Sequence, residues 1–127
     1  MEFVRTIYER WARGDFSSSD WADPDYELVL RDGPAPGTFK GLEAAAGGWG
    51  EFLSAFDHLK AVAEEIRAID DERVLVLTKN IGRGKTSGLE LGEMETRGAN
   101  VIHVHGGRVT KLVAYFDRDL ALADLEL

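Results

Sequence analysis

Four consecutive segments between Leu59 and Phe116 have the composition and spacing of β-strands. A chain that strings strands together in this way must gather them into one sheet and cover a face of it with apolar side chains. The clearest is Arg73–Ile81 (Arg-Val-Leu-Val-Leu-Thr-Lys-Asn-Ile), rich in β-branched residues. Leu89–His105 is a long strand, His105-Gly106-Gly107 a tight hairpin turn and Arg108–Phe116 the returning strand. Leu59–Ile69 is ambiguous: Val62, Ile66 and Ile69 suit a helix, whereas Leu59, Ala61 and Ala63 alternate as in a strand, the reading adopted here. Gly82–Gly88 reads as a hairpin loop; its Gly and Lys-Thr-Ser residues do not form a phosphate-binding loop, because a strand follows where a helix is required.

Ahead of the strands the period is helical. Val4, Ile7, Tyr8 and Trp11 fall on one face of a helix over Glu2–Arg13 that Gly14 ends. Asp15–Pro24 reads as irregular, with Phe16 and Trp21 packing inward, and Tyr26–Leu30 as a short strand. Asp32–Gly37 is a Pro/Gly loop, and Leu42–Phe56 a second amphipathic helix weakened by Gly47, Gly48 and Gly50. A short closing helix follows Asp117, a ready N-cap, and docks through Leu120, Leu122 and Leu125. The sum is an α+β fold: helices on one face of a curved antiparallel sheet, in a single domain over 1–127, the size expected of one core.

Composition removes several functions. With 15 Lys and Arg against 23 Asp and Glu, the formal charge is 15 − 23 = −8. That balance disfavours nucleic acid and anionic lipid as partners. Without cysteine there is no disulfide, thiolate nucleophile or cysteine metal site. No apolar run approaches a membrane span, and Met1-Glu2-Phe3-Val4-Arg5 does not start a secretory signal, so a cytoplasmic location is expected. His103 and His105 share a strand face, but two histidines at this spacing are a weak metal motif, and no metal or other cofactor is expected.

The helix Val4–Asp15, the segment Asp23-Pro24-Asp25-Tyr26-Glu27, the run Gly37-Thr38-Phe39-Lys40-Gly41 before a helix, and the ending His105-Gly106-Gly107-Arg108-Val109 through Tyr115-Phe116-Asp117-Arg118 together resemble a SnoaL-like domain of the nuclear transport factor 2-like superfamily. The resemblance implies a cone-shaped pocket between helices and sheet, a small apolar ligand, and a homodimer paired through the sheet. It leaves the reaction open, since the superfamily includes polyketide cyclases, ketosteroid isomerases, epoxide hydrolases and non-enzymatic carriers.

In such a cone the inward set on the long strand is Met94, Thr96, Gly98, Asn100, Ile102 and Val104, joined by Leu112, Ala114 and Phe116 on the returning strand. Trp11, Trp21, Trp49 and Phe52 complete the expected lining. By the resemblance, Asn100 stands where ketosteroid isomerases carry a protonated aspartic acid, Ala114 where limonene epoxide hydrolases carry a catalytic aspartate, and Tyr8 one residue from the isomerase tyrosine. Both carboxylates are missing. The candidate polar contacts are Asn100, Tyr8 and Asp117; for Asn100 the competing role is a hydrogen bond to Tyr8, Thr96 or water, and for Asp117 it is the helix cap. Two functions follow: an isomerase-, cyclase- or lyase-type acid/base enzyme acting without metal on a carbonyl or polycyclic compound, or a non-catalytic binding or dimerisation module. Val101, Val109 and Val113 on the outer face suggest the dimer.

Overall fold

A computed structural model describes the backbone of residues 2–15, 21–32, 36–47, 56–86 and 89–126, and the side chains of these residues outside 56–59 and 83–96. Helix α1 (Glu2–Ala12) buries Val4, Ile7, Tyr8 and Trp11, the four residues its spacing selects. Strand β1 (Ala22–Leu30) and the short β2 (Gly37–Lys40) form an antiparallel hairpin. A helical stretch, α2, covers 42–47 and buries Ala45. Then come β3 (Phe56–Ala68), β4 (Arg73–Thr86), β5 (Leu89–His105), β6 (Arg108–Tyr115) and α3 (Arg118–Asp124).

The six strands form one curved, unclosed sheet in the order β2-β1-β6-β5-β4-β3. The α+β architecture expected from the sequence is thus present. Several details differ. β1 starts at Ala22, so the supposedly irregular approach to Tyr26 is already strand, and β2 begins at Gly37, read as the end of a loop, and runs through Thr38–Lys40, to which the sequence reading assigns no element. β1 pairs with β6 in parallel, while every other neighbouring pair is antiparallel. Phe56 belongs to β3, and β4 runs on to Thr86 through residues read as hairpin loop. Phe16, Trp49 and Phe52 lie outside the described residues.

The sheet has two covered faces. On the concave one, α1 packs with Tyr26, Leu28 and Leu30 of β1, Val74 and Val76 of β4, Ile102 of β5 and Leu112 of β6. On the other, Leu120, Ala121, Leu122 and Leu125 in and after α3 cover Leu75, Ala99, Val101 and Tyr115. The helices therefore do not all share one face. Asp117 caps α3 by accepting from the Asp119 amide at 2.9 Å. Arg118 ties its first turn to the sheet, donating to Glu64 Oε1 at 2.6 Å, Thr78 O at 3.0 Å and Gly98 O at 3.2 Å. Asp124 ties the last turn down, accepting from Arg31 and from the Tyr115 hydroxyl, each at 2.9 Å.

Two irregularities alter which side chains face inward. In β6 the pairing passes from Val109↔Val104 to Lys111↔His103, so Thr110 is an extra residue. Val109 therefore turns into the concave core, where it is fully buried, instead of lying on the outer face. Val101 does face outward, but α3 covers it within the same chain. Of the three valines that suggested a dimer, only Val113 is partly exposed on the outer face. Between the β5 and β6 strands, Gly106 and Gly107 adopt φ of 59° and 76°, the positive values that a type I′ two-residue hairpin turn requires at both central positions.

Candidate functional site

Strand register brings the concave residues of β5 and β6 together. Asn100 is level with Ala114 on one side and Val76 on the other, and Ile102 with Leu112 and Val74. β1 continues the rows, with Leu28 beside Leu112 and Leu30 beside Ala114. Asn100, Ile102, Val104, Leu112 and Ala114 all lie on the inward side, as alternation predicts. The side chains of Met94 and Thr96 are outside the described set. Phe116 follows β6 and is half-buried; its backbone amide donates to Asp32 Oδ1 at 2.5 Å.

Over this floor, α1 places Tyr8. The Asn100 amide Nδ2 donates to the Tyr8 hydroxyl oxygen, joining residues from the first helix and the fifth strand; this is one of the partners expected if Asn100 has a structural role in place of a ligand contact. An apolar surround makes such a bond necessary, because a buried amide left unpaired costs about 1–3 kcal/mol. The bond uses the oxygen of Tyr8 as acceptor and leaves its O–H proton available as a donor. Burial pushes the Tyr8 phenol well above its ordinary value, and the hydrogen bond from Asn100 pulls it back only in part.

Aromatic residues wall the pair. Trp11 meets Tyr8 edge-on at 4.8 Å between ring centroids, Trp21 meets Trp11 at 5.8 Å, and Tyr26 meets Trp21 at 5.4 Å. Edge-to-face contacts of this kind fix ring orientation as well as burying area. Tyr26, on β1, was not singled out in the sequence, although its alternation with Leu28 and Leu30 is the signal that places it inward. It is buried, and its phenol too is driven well above the ordinary value, first by burial and then by the neighbouring Tyr8. Both phenols hold their protons at neutral pH. They can donate hydrogen bonds but cannot serve as bases.

Asp117 stands apart from this group. It is exposed, and its carboxylate is engaged in the α3 cap. The carboxylates with clear shifts are at the surface and are displaced downward: Glu64 by Arg118, Asp124 by Arg31 and Tyr115, and Asp70 by the Glu72 amide and Arg73. Among the described residues no carboxylate is buried. His103 is half-buried on the outer face, and burial lowers its affinity for a proton, with Lys111 and Arg73 adding to the effect. His105 is exposed, 3.8 Å from Glu72. No group of three or more metal-ligating side chains occurs among the described residues, and none of the described helices is long and apolar enough to cross a membrane.

A curved, mostly antiparallel sheet thus carries α1 on its concave face, with an aromatic wall and a buried polar pair between them. The sequence profile of the SnoaL-like domain matches residues 4–112, and the chain belongs to that family. No curated protein matches it in sequence. Among solved structures it is similar to TerC, co-crystallised with polyporic acid, at 17% identity and a TM-score of 0.74 over 99% of this chain and 97% of that one. It is also similar to a protein from Jannaschia sp. CCS1 named as a SnoaL-like polyketide cyclase, at 15% identity and a TM-score of 0.72, covering 98% and 88% of the two chains. A third is a protein of ketosteroid isomerase-like fold from Catenulispora acidiphila, in complex with trimethylamine, at 15% identity and 0.71 over 99% and 93%. At these identities the likeness is one of fold.

Proposed function

We propose that the protein binds a small, largely apolar carbonyl or polycyclic compound on the concave face, with the ligand's oxygen held by Tyr8 and Asn100. The observation that carries this reading is the buried Tyr8–Asn100 bond, which spends the phenol's oxygen and leaves its proton to donate. Trp11, Trp21 and Tyr26 supply the apolar and aromatic surface that such a ligand requires. The solved structure of TerC with polyporic acid, on the same fold, is in keeping with it. A neutral donor pair stabilises negative charge developing on a carbonyl oxygen, which is the electrophilic half of an isomerase or cyclase. The other half, a general base, has no candidate among the described buried residues. That observation favours the second reading, a carrier or binding module of the same family without turnover.

Titration with 1-tetralone, followed by tryptophan fluorescence, tests the first step. Binding to the wild type is expected to weaken about fivefold to tenfold in Tyr8→Phe, the effect of one hydrogen bond. Asn100→Ala is expected to weaken it similarly, whereas Asp117→Asn leaves it unchanged. Equal affinity in all four proteins would remove Tyr8 and Asn100 from the site. Incubation of the wild type with poly-β-carbonyl substrates separates the two readings: product formation requires a base supplied from elsewhere, and binding without product makes the protein a carrier.

A further inference from the structure

Strand β4 places Leu75 and Leu77 under α3 and Val76 against the concave core, so alternation puts Thr78 on the concave side. Its cross-strand partner Ala63, which packs against that same core, agrees. Thr78 is 2% exposed, and with Asn100 it makes up the buried non-aromatic polar residues of the described chain. Thr78 pairs with Gly98, two residues before Asn100, so the two polar side chains are diagonal neighbours on one face, about 7–8 Å apart at the backbone.

Thr78 has Ala63 and Gly98 across the strands and Val76 two residues before it, and a valine of the same shape would fill the position with no polar atom to satisfy. The hydrogen bond recorded for Thr78 outside the strand ladder goes to its carbonyl, from Arg118, and none is recorded to its hydroxyl among the described residues. Yet no described side-chain oxygen or nitrogen that is sealed from solvent lacks a partner. Oγ1 is therefore not sealed from solvent, although the residue as a whole is nearly buried. An open hydroxyl on a nearly buried residue, beside the polar pair, has the placement of a ligand contact.

We propose that Thr78 Oγ1 is a second ligand-contacting group on the concave face, so that the compound held by Tyr8 and Asn100 carries a second oxygen function along the same edge. The inference rests on the carbonyl-binding reading above and narrows its ligand class to doubly oxygenated compounds. A single carbonyl satisfies Tyr8 and Asn100 and leaves Thr78 idle; a hydroxyl or second carbonyl reaching Thr78 adds one hydrogen bond in a site shielded from water.

Calorimetric titration with 1-tetralone and with 6-hydroxy-1-tetralone tests this in the wild type, Thr78→Val, Thr78→Ala and Thr78→Ser, each checked for an unchanged melting profile. The wild type is expected to prefer the hydroxylated compound. Thr78→Val and Thr78→Ala are expected to cut that preference about fivefold to tenfold while leaving 1-tetralone affinity unchanged, and Thr78→Ser to keep it. A preference that survives in both Val and Ala variants overturns the inference and leaves the carbonyl-binding reading standing. Equal losses for both compounds also overturn it, since they mark a structural role. If neither compound binds the wild type, the carbonyl-binding reading falls and the inference with it.

Discussion

Tyr8 and Tyr26 are phenols kept neutral by their surroundings, and the third tyrosine, Tyr115, is raised as well, by burial and by donating to Asp124. All three therefore ionise more readily in the unfolded chain than in the folded one. Their contribution to stability is complete below the ordinary phenol range near pH 10 and is lost as pH rises from there through the folded-state values. Tyrosinate absorbance of the native protein is expected to lag behind that of the unfolded protein above about pH 10, and the denaturation midpoint to fall over the same range. The Tyr8→Phe, Tyr26→Phe double variant is expected to show a shallower fall; an identical pH dependence would place these phenols in contact with solvent. Asn100 matters here because an amide does not titrate. Unlike a carboxylic acid in its place, it presents the same hydrogen-bond donor to Tyr8 at every pH.

Gly98 shows how an element's end is fixed by one backbone position. A Cβ there would lie 2.2 Å from the carbonyl oxygen of Tyr115, the last residue of β6, and backbone cannot swing aside as a flexible side chain does. The Gly98→Ala variant is expected to be destabilised by about 1–3 kcal/mol or more, measured by chemical denaturation. A change within error would mean that β6 ends with slack. The same region anchors α3, because Gly98 O, Thr78 O and Glu64 all accept from Arg118. Glu64 reaches Arg118 from an irregularity in β3: the register passes from Ala63↔Thr78 to Glu65↔Leu77, leaving Glu64 as the extra residue. That bulge also explains the mixed pattern of Leu59–Ile69. Ala61 and Ala63 before it and Ile66 after it all pack on the concave core, a spacing that is neither strand nor helix.

Across the whole molecule, the outer face divides into a part covered by α3 and a part left partly open. The open part carries Val29 beside Val113, and next to them a row running across five strands: Lys40, Glu27, Lys111, His103 and Arg73. We propose that the expected sheet-face homodimer, if built on this strip, pairs through Val29 and Val113. Sedimentation at micromolar concentration is then expected to give twice the 14.0 kDa of one chain. A particle of 14.0 kDa would contradict the pairing.

What the sequence determined by itself is local. Hydrophobic period set α1 and its buried face, and β propensity and turn chemistry set β5, β6 and the Gly106-Gly107 hairpin. The Asp117 cap was legible for the same reason, since capping depends on residues within one turn. Alternation alone assigned Asn100, Ile102, Leu112 and Ala114 to one face. The tertiary structure decided what depends on residues distant in the chain. It set Tyr8 against Asn100 across 92 positions, laid β1 parallel to β6, carried α3 to the opposite face and drew Tyr26 into the aromatic wall. Bulges at Glu64 and Thr110 escaped the sequence because an extra residue in a ladder reverses every later side chain without a local signature. Burial is likewise a property of the assembled chain, and it is burial that turns ordinary phenols and a threonine hydroxyl into candidate ligand contacts.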